Sequence, residues 1–252
     1  MRLRRLLRRR TLREVERKFV IEGGRGILSA LNSQIEIEAV YFEQTDDALV
    51  GKVVSTASEL GYRTYEVAKG TMERVADTVT PQSVMAVANF VDQGLDQLPL
   101  GSFVVVMAGV RDPGNAGTII RSALASGASA LIMCHQSVDL YNPKTVRSSA
   151  GALFNVPISI VDSFGEVYDF LHSNNYRLIG TSSHSHSSCW DCDLSGRIAI
   201  VVGNEANGLE SIWTEMMDSF VKIPIDDRAE SLNVAVAASI VMFEASRQRQ
   251  VG

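Results

Sequence analysis

The 252 residues are 46% hydrophobic and 21% charged, enough apolar mass for one large cored domain or two small ones and too little charge for a disordered chain. No apolar run approaches the roughly 18 residues of a membrane span, and three cysteines, Cys134, Cys189 and Cys192, are too few and odd in number for a disulfide framework, which points to a reducing, cytoplasmic setting. The net charge of −5 hides an asymmetry: residues 1–25 hold nine Arg and one Lys against three Glu, a net of +7, which leaves −12 for the other 227 residues.

In chain order, the Arg-rich start through Arg13 has no apolar stretch of signal-peptide length. It shares the Arg-rich, acid-poor character of an organelle transit peptide, yet lacks the serines and is followed at once by Glu14 and Glu16. An acidic body with a basic end fits a protein whose N-terminus meets phosphate; a solvated basic helix is the plainer alternative. Ile37–Phe42 reads as a strand, Asp47–Leu60 as a helix ended by Gly61, Arg63–Val67 as a strand, Thr71–Asp77 as a short helix and Val84–Phe90 as a strand. This is a small α/β unit of about 90 residues. The polar stretch 91–101, with two Gly and a Pro, reads as a linker, which sets the expected domains at 1–95 and 100–252.

Beyond the linker the pattern alternates. Phe103–Met107 is a continuous apolar run, as a buried parallel strand requires. Asn115–Ser126 reads as a helix closed by Gly127, Ala130–Cys134 as a strand, and Asn142-Pro143 as the cap and first turn of another helix. Val156–Val161, Arg177–Thr181, Ile198–Val202 and Phe220–Ile223 read as strands, Phe164–Ser173 as a helix, and Leu232 to about Arg249 as a long helix. Such alternation indicates an α/β layer fold with a mostly parallel sheet, whose ligands sit at loops leaving the carboxyl ends of the strands.

No phosphate-binding loop, dinucleotide fingerprint or nucleophile elbow is present. His184, His186, Cys189 and Cys192 lie close together, but one C-x-x-C preceded by H-x-H is a weak match to metal-ligand spacing, and no metal is expected. Three other segments stand at strand ends. In 112–127 a Pro-Gly turn enters a helix capped near Asn115, with Arg121 two turns in. In 200–209, Gly203 and Gly208 bracket a tight loop that holds one carboxylate, Glu205, and glycines there let backbone approach a ligand closely. In 223–238, Ser231 and Asn233 crowd the start of an apolar helix, where capping needs only one of them. Taken singly, each has a plainer explanation: Asn115 or Ser231 as a cap, Glu205 as a solvated loop charge.

Together and in this order the segments resemble the three motifs of the SpoU, or TrmH-like, family of RNA 2′-O-methyltransferases within the SPOUT class. Asn115, Gly117, Arg121 and Gly127 look like the first motif, Gly203–Leu209 like the second, and Ile223-Pro224 with Ser231–Val234 like the third. The stretch Phe19–Gly23 and the α/β segment after it resemble the family's ribosomal-protein-like substrate-binding domain. The resemblance implies a deep trefoil knot, a homodimer with sites at the interface, S-adenosylmethionine as methyl donor and no metal. Gly203, Ile223 and Leu232 are then expected at the donor, with Thr181 or Ser182 lining the same pocket. Arg121 is expected to act on the ribose hydroxyl, either as base or as phosphate clamp and electrostatic stabiliser, with Asn115, Glu205, Ser231 and Asn233 orienting it and the ribose. Asn204 takes a variable position of the second motif, and 182–192 matches no motif.

The resemblance implies ribosomal RNA as the substrate ahead of transfer RNA, because a separate N-terminal RNA domain accompanies ribosomal substrates. The rivals are a base methyltransferase on the same knotted architecture, a catalytically silent RNA-binding or assembly factor, and a nucleotide-cofactor oxidoreductase. The polar set of Arg121, Glu205, Ser231 and Asn233 argues against the first two, and the missing glycine fingerprint against the third.

Overall fold

The computed structural model describes residues 2–76, 80–134 and 136–251. Its elements, in order, are α1 (Arg2–Arg8), α2 (Arg10–Glu16), β1 (Lys18–Glu22), α3 (Gly24–Asn32), β2 (Ile37–Glu43), α4 (Ala48–Glu59), β3 (Arg63–Val67), α5 (Thr71–Val75), β4 (Val84–Asn89), β5 (Phe103–Met107), α6 (Pro113–Ser126), β6 (Ala130–Cys134), α7 (Pro143–Ser148), β7 (Ile158–Val161), α8 (Phe164–Ser173), β8 (Arg177–Thr181), β9 (Ile198–Val202), α9 (Ser211–Glu215), β10 (Ser219–Val221) and α10 (Val234–Val251). They form two compact units: Met1–Val91 with Asp139–Asn155, and Asp92–Val138 with Val156–Gly252.

The first unit is built on a mixed sheet of order β1-β4-β2-β3. β4 runs antiparallel to both neighbours, while β2 and β3 are parallel. Leu6 and Leu7 of α1 are buried with Val20, Met72, Met85 and Val87, and burying a leucine stabilises by roughly 1.5–3 kcal/mol. The Arg-rich start is therefore neither a free arm nor a fully solvated helix. Arg13 is 4% exposed; its guanidinium donates to the carbonyls of Leu6 (2.6 Å) and Leu7 (3.2 Å) and pairs with Asp139. Arg147 meets Glu22 at 2.9 Å, and Tyr141 stacks on Phe90 with centroids 3.7 Å apart. These contacts draw Asp139–Asn155 into the first unit. The helix expected over Thr71–Asp77 ends at Val75, where Ala76 turns extended; Asp77 lies outside the described residues.

In the second unit six strands lie in the order β10-β8-β9-β5-β6-β7, and every pair is parallel. β5, β6 and β9 are buried at every position, so their apolar runs face helices on both sides. The stretch expected as a polar linker belongs to this unit from Asp92 onward, and Leu98 within it is buried in the core. At the start of α6, Asp112 is the cap, its carboxylate accepting from the Asn115 N–H at 2.9 Å, with Pro113 in the first turn. Asn115 thus sits inside the helix, not at its cap, and its side chain is left for other partners. Gly127 closes α6 with a left-handed φ of 80°. The long last helix starts at Val234 because Asn233 caps it, accepting from the N–H groups of Ala235 (2.9 Å) and Val236 (3.3 Å).

Candidate active site

The loops that leave β5 and β9, neighbours in the sheet, meet at their carboxyl ends, where open parallel sheets hold ligands. Glu205, in the loop after β9, accepts from the N–H groups of Asp112 (3.0 Å) and Arg111 (3.2 Å) and from the Asn115 amide (3.1 Å). Partial burial alone would raise its carboxyl; these donors outweigh that and hold the pKa below the usual carboxylate range. Asn115 in turn accepts from the Asn233 amide at 3.0 Å. Through Asn115, one carboxylate therefore links the first turn of α6 to the loop after β9, ninety residues away, and to the cap of α10, 118 residues from Asn115. Asn204 steadies the same loop: its amide donates to the Gly109 carbonyl (3.0 Å), and its oxygen accepts from the Ala206 N–H (2.9 Å).

Beside this network lies a cleft of about 780 Å³. Thr181, Ser182, Gly203, Ile223, Leu232, Glu205 and Ser231 all line it, so every residue expected at the donor falls on one surface. Ile223, Ile225, Leu232, Val234 and Val241 give it an apolar wall. Ser231 is exposed and takes no part in capping α10, since Asn233 does so. Gly203 requires correction in its reason. A Cβ there would stand 2.3 Å from the carbonyl carbon of Gly208 and 2.5 Å from the Leu209 nitrogen. The glycine is demanded first by the closure of its own loop, where the Asn204 and Gly208 backbones bond each other at 2.8 and 3.0 Å.

Arg121 departs from expectation. It does not line the cleft of its own chain, is exposed, and its side chain makes no hydrogen bond or ion pair among the described residues. The reason is helical phase. Asn115 and Ser122 share the face of α6 that meets α10, through Asn233 and Ser239, whereas Arg121 is roughly 240° around the helix from Asn115.

The segment after β8 resembles no family motif, yet Ser182–Ser187 lines the cleft. It is pinned to the end of β10: Ser182 N–H donates to the Val221 carbonyl (3.0 Å), the Ser185 hydroxyl to the Phe220 carbonyl (2.8 Å), and Lys222 N–H to the Ser187 carbonyl (2.9 Å). Cys189 turns inward and is buried, which pushes its thiol up to about 11, whereas His184 and His186 are exposed at the cleft. Among the described residues no group of three or more His, Cys, Asp or Glu side chains is placed to hold a metal ion, and no helix is long and apolar enough to cross a membrane. Lys222 escapes sequence reasoning, its position just before Ile223-Pro224 being the available signal, and Asn204 is read there only as a variable position of the second motif.

Known proteins share this architecture. A 23S rRNA (uridine(2479)-2′-O)-methyltransferase of Streptomyces viridochromogenes is 38% identical over 188 residues, 72% of this chain and 66% of the relative. The Bacillus subtilis 23S rRNA (guanosine(2553)-2′-O)-methyltransferase RlmP is 30% identical over 89% of this chain and 87% of its own length. Among solved structures, the SpoU methyltransferase AviRb from Streptomyces viridochromogenes in complex with the cofactor AdoMet superposes with a TM-score of 0.90 at 32% identity, covering 99% of this chain and 97% of that one. The MRM3-like substrate binding domain matches residues 1–86, and the SpoU rRNA methylase family matches residues 102–243. With more than half of its length inside that match, the chain belongs to the SpoU rRNA methylase family.

Proposed function

We propose that this protein transfers a methyl group from S-adenosylmethionine to a ribose 2′-hydroxyl of ribosomal RNA. The observation that carries the reading is the convergence of Asn115, Glu205 and Asn233 beside a cleft that Gly203, Ile223 and Leu232 line. The cleft suits the donor: its volume lies in the range of small-molecule sites, and an apolar wall beside exposed loop backbone is what an adenosine needs. Bound there, S-adenosylmethionine supplies an electrophilic methyl on a sulfonium centre. The chain's own task is alignment of the hydroxyl, which can account for much of the acceleration. Glu205 fixes Asn115, Asn115 fixes Asn233, and the Ser231 hydroxyl and the polar atoms of this trio orient the ribose. The reading requires no metal.

Arg121 completes the site from a second copy. Exposed on α6 and turned from its own cleft, it is available to a partner's, so the working unit is a homodimer. A guanidinium holds its proton and is a poor free base; the role of Arg121 is to clamp a phosphate and stabilise charge developing on the ribose oxygen. Residues 1–95, which 139–155 join in the first unit, are read as the RNA-binding domain and the rest of 100–252 as the methyltransferase domain, the latter threading its C-terminal part into the family's trefoil knot. The cysteine usage supports action in the cytoplasm. Transfer RNA is the weaker alternative, since the relatives named above act on 23S rRNA.

The test is to map 2′-O-methyl sites in total RNA with and without the gene, then to offer the purified protein the identified target with a 2′-deoxy nucleotide. One ribosomal site should disappear with the gene, and the deoxy substrate should accept no methyl. Methyl entering the deoxy substrate at a normal rate would mean that a base is the acceptor.

A further inference from the structure

Lys222 stands out in the cleft because of what it lacks. Of the lining residues, only Lys222 and Glu205 carry a full charge at neutral pH. Glu205 is committed to the N–H groups of Arg111 and Asp112 and to the Asn115 amide. The Lys222 backbone is fixed on both sides, its N–H donating to Ser187 (2.9 Å) and its carbonyl accepting from the buried Cys189 (2.8 Å). Lys222 is a residue of intermediate exposure, and its ammonium makes no hydrogen bond or ion pair among the described residues. A cation on the wall of a cleft with no partner of its own favours an anion in the space before it.

The neighbours suit the same ligand. The segment Ser182–Ser187 is tied down by the Ser185 hydroxyl on Phe220 and by its own Ser187 N–H on the Ser185 hydroxyl (3.2 Å). It holds the exposed imidazoles of His184 and His186 along the cleft, and each imidazole offers an N–H. The apolar wall of Ile223, Ile225 and Leu232 begins at the residue after Lys222. A ligand with one flat apolar end and one anionic end matches this sequence of surfaces.

We infer that Lys222 binds the α-carboxylate of the methyl donor, with His184 and His186 as flanking hydrogen-bond donors. This end of the cleft thereby distinguishes a donor that keeps its amino-acid arm from a truncated thioadenosine. The inference rests on the reading that the cleft takes S-adenosylmethionine. It assigns to Lys222 a binding role that the three motifs do not include.

Calorimetry on the full-length protein tests it with S-adenosylhomocysteine, which keeps the carboxylate, and 5′-methylthioadenosine, which lacks it. Lys222→Met should weaken S-adenosylhomocysteine roughly tenfold or more, the scale of one charge-assisted hydrogen bond, and leave methylthioadenosine unchanged. Retained methylthioadenosine binding also shows that the variant is folded. Lys222→Arg should keep most of the affinity. Equal losses for both ligands would overturn the inference, as would no loss for either ligand together with weaker RNA binding, which would make Lys222 a phosphate contact. If the wild type binds neither ligand, the donor reading fails and this inference with it.

Discussion

The Arg-rich start of the first unit and the cleft of the second use charge in opposite ways. In the start, charge is dense and much of it is paired within the unit: Arg13 is buried on Asp139, while Arg2 pairs with Glu16 and Glu38, and Arg10 with Glu14, at the surface. Only Arg4, Arg5 and Arg9 among the arginines of α1 and its junction with α2 are exposed without a side-chain hydrogen bond or ion pair among the described residues. In the cleft, charge is sparse and one group organises its surroundings: Glu205 holds Arg111, Asp112 and Asn115, and reaches the cap of α10 through Asn115. Charge density in the sequence thus marks the start as an RNA contact for a reason that is only partly right, and passes over the carboxylate that orders the site.

The sharpest way to break this comparison is to delete residues 2–13. If the start were only an RNA grip, the fold would survive. The deletion removes Leu6 and Leu7, each costing about 2–5 kcal/mol when truncated to Ala in a core, and leaves Asp139 without Arg13. Together these rival the roughly 5–15 kcal/mol of a whole domain. The first unit should lose its fold, seen as loss of hydrogen-exchange protection in β1 and β4. Protection retained there would mean that the start is dispensable to the core.

The next largest effect belongs to the trio. Asn115→Ala should cut the single-turnover rate on the order of 10²-fold, the usual cost of a preorganised polar contact, while donor affinity stays near the wild-type value. Arg121→Ala should lose as much. The proposal that Arg121 acts across a dimer makes a finer point. Mixing Arg121→Ala with Glu205→Gln subunits should regain roughly a quarter of wild-type activity, because half the dimers carry one intact site. No recovery on mixing would place Arg121 at the cleft of its own chain.

How much of this is legible follows from which forces act locally. β5, β6 and β9 have the expected bounds because continuous apolar runs burying both faces of a sheet are visible in sequence. The cap of α6 reads as Asn115 rather than Asp112 because both residue types cap helices, and only the fold decides between them. α1 and α2 are hidden behind their arginines, although Leu3, Leu6 and Leu7 have the helical spacing that anchors them. α3 is masked by Gly24 and Gly26; at Gly24 a Cβ would meet the Leu49 side chain at 2.7 Å. That Asp139–Asn155 joins the first unit depends on partners more than a hundred residues away, which no local pattern encodes.

A smaller effect sharpens the comparison on the RNA side. Changing Arg4, Arg5 and Arg9 together to Gln removes charge without touching Leu6, Leu7 or Arg13. The melting temperature should stay close to wild type, while the slope of log affinity for RNA against log salt flattens by about 0.7–0.9 for each phosphate that is no longer neutralised. An unchanged slope would confine the whole start to a structural role.

The smallest effect concerns Glu38 on β2, which accepts from Arg2 and Lys18. The hydrogen bond from Arg2 is the largest influence; it outweighs desolvation and lowers the carboxyl from about 4.5 to about 2. A carboxyl that is more acidic in the folded than in the unfolded chain stabilises fully above the unfolded value, and that contribution fades as pH falls from about 4.5 toward 2. The group is 27% exposed, so solvent screens the pairs and the contribution is about 1 kcal/mol or less. Glu38→Gln should therefore unfold at lower urea than wild type at pH 7, by a margin that shrinks with added salt and closes as pH approaches 2. A margin that stays constant with pH would mean that Glu38 holds α1 to the sheet by packing and neutral hydrogen bonds, and that at Arg2, too, the charges of the start matter less than the contacts of their stems.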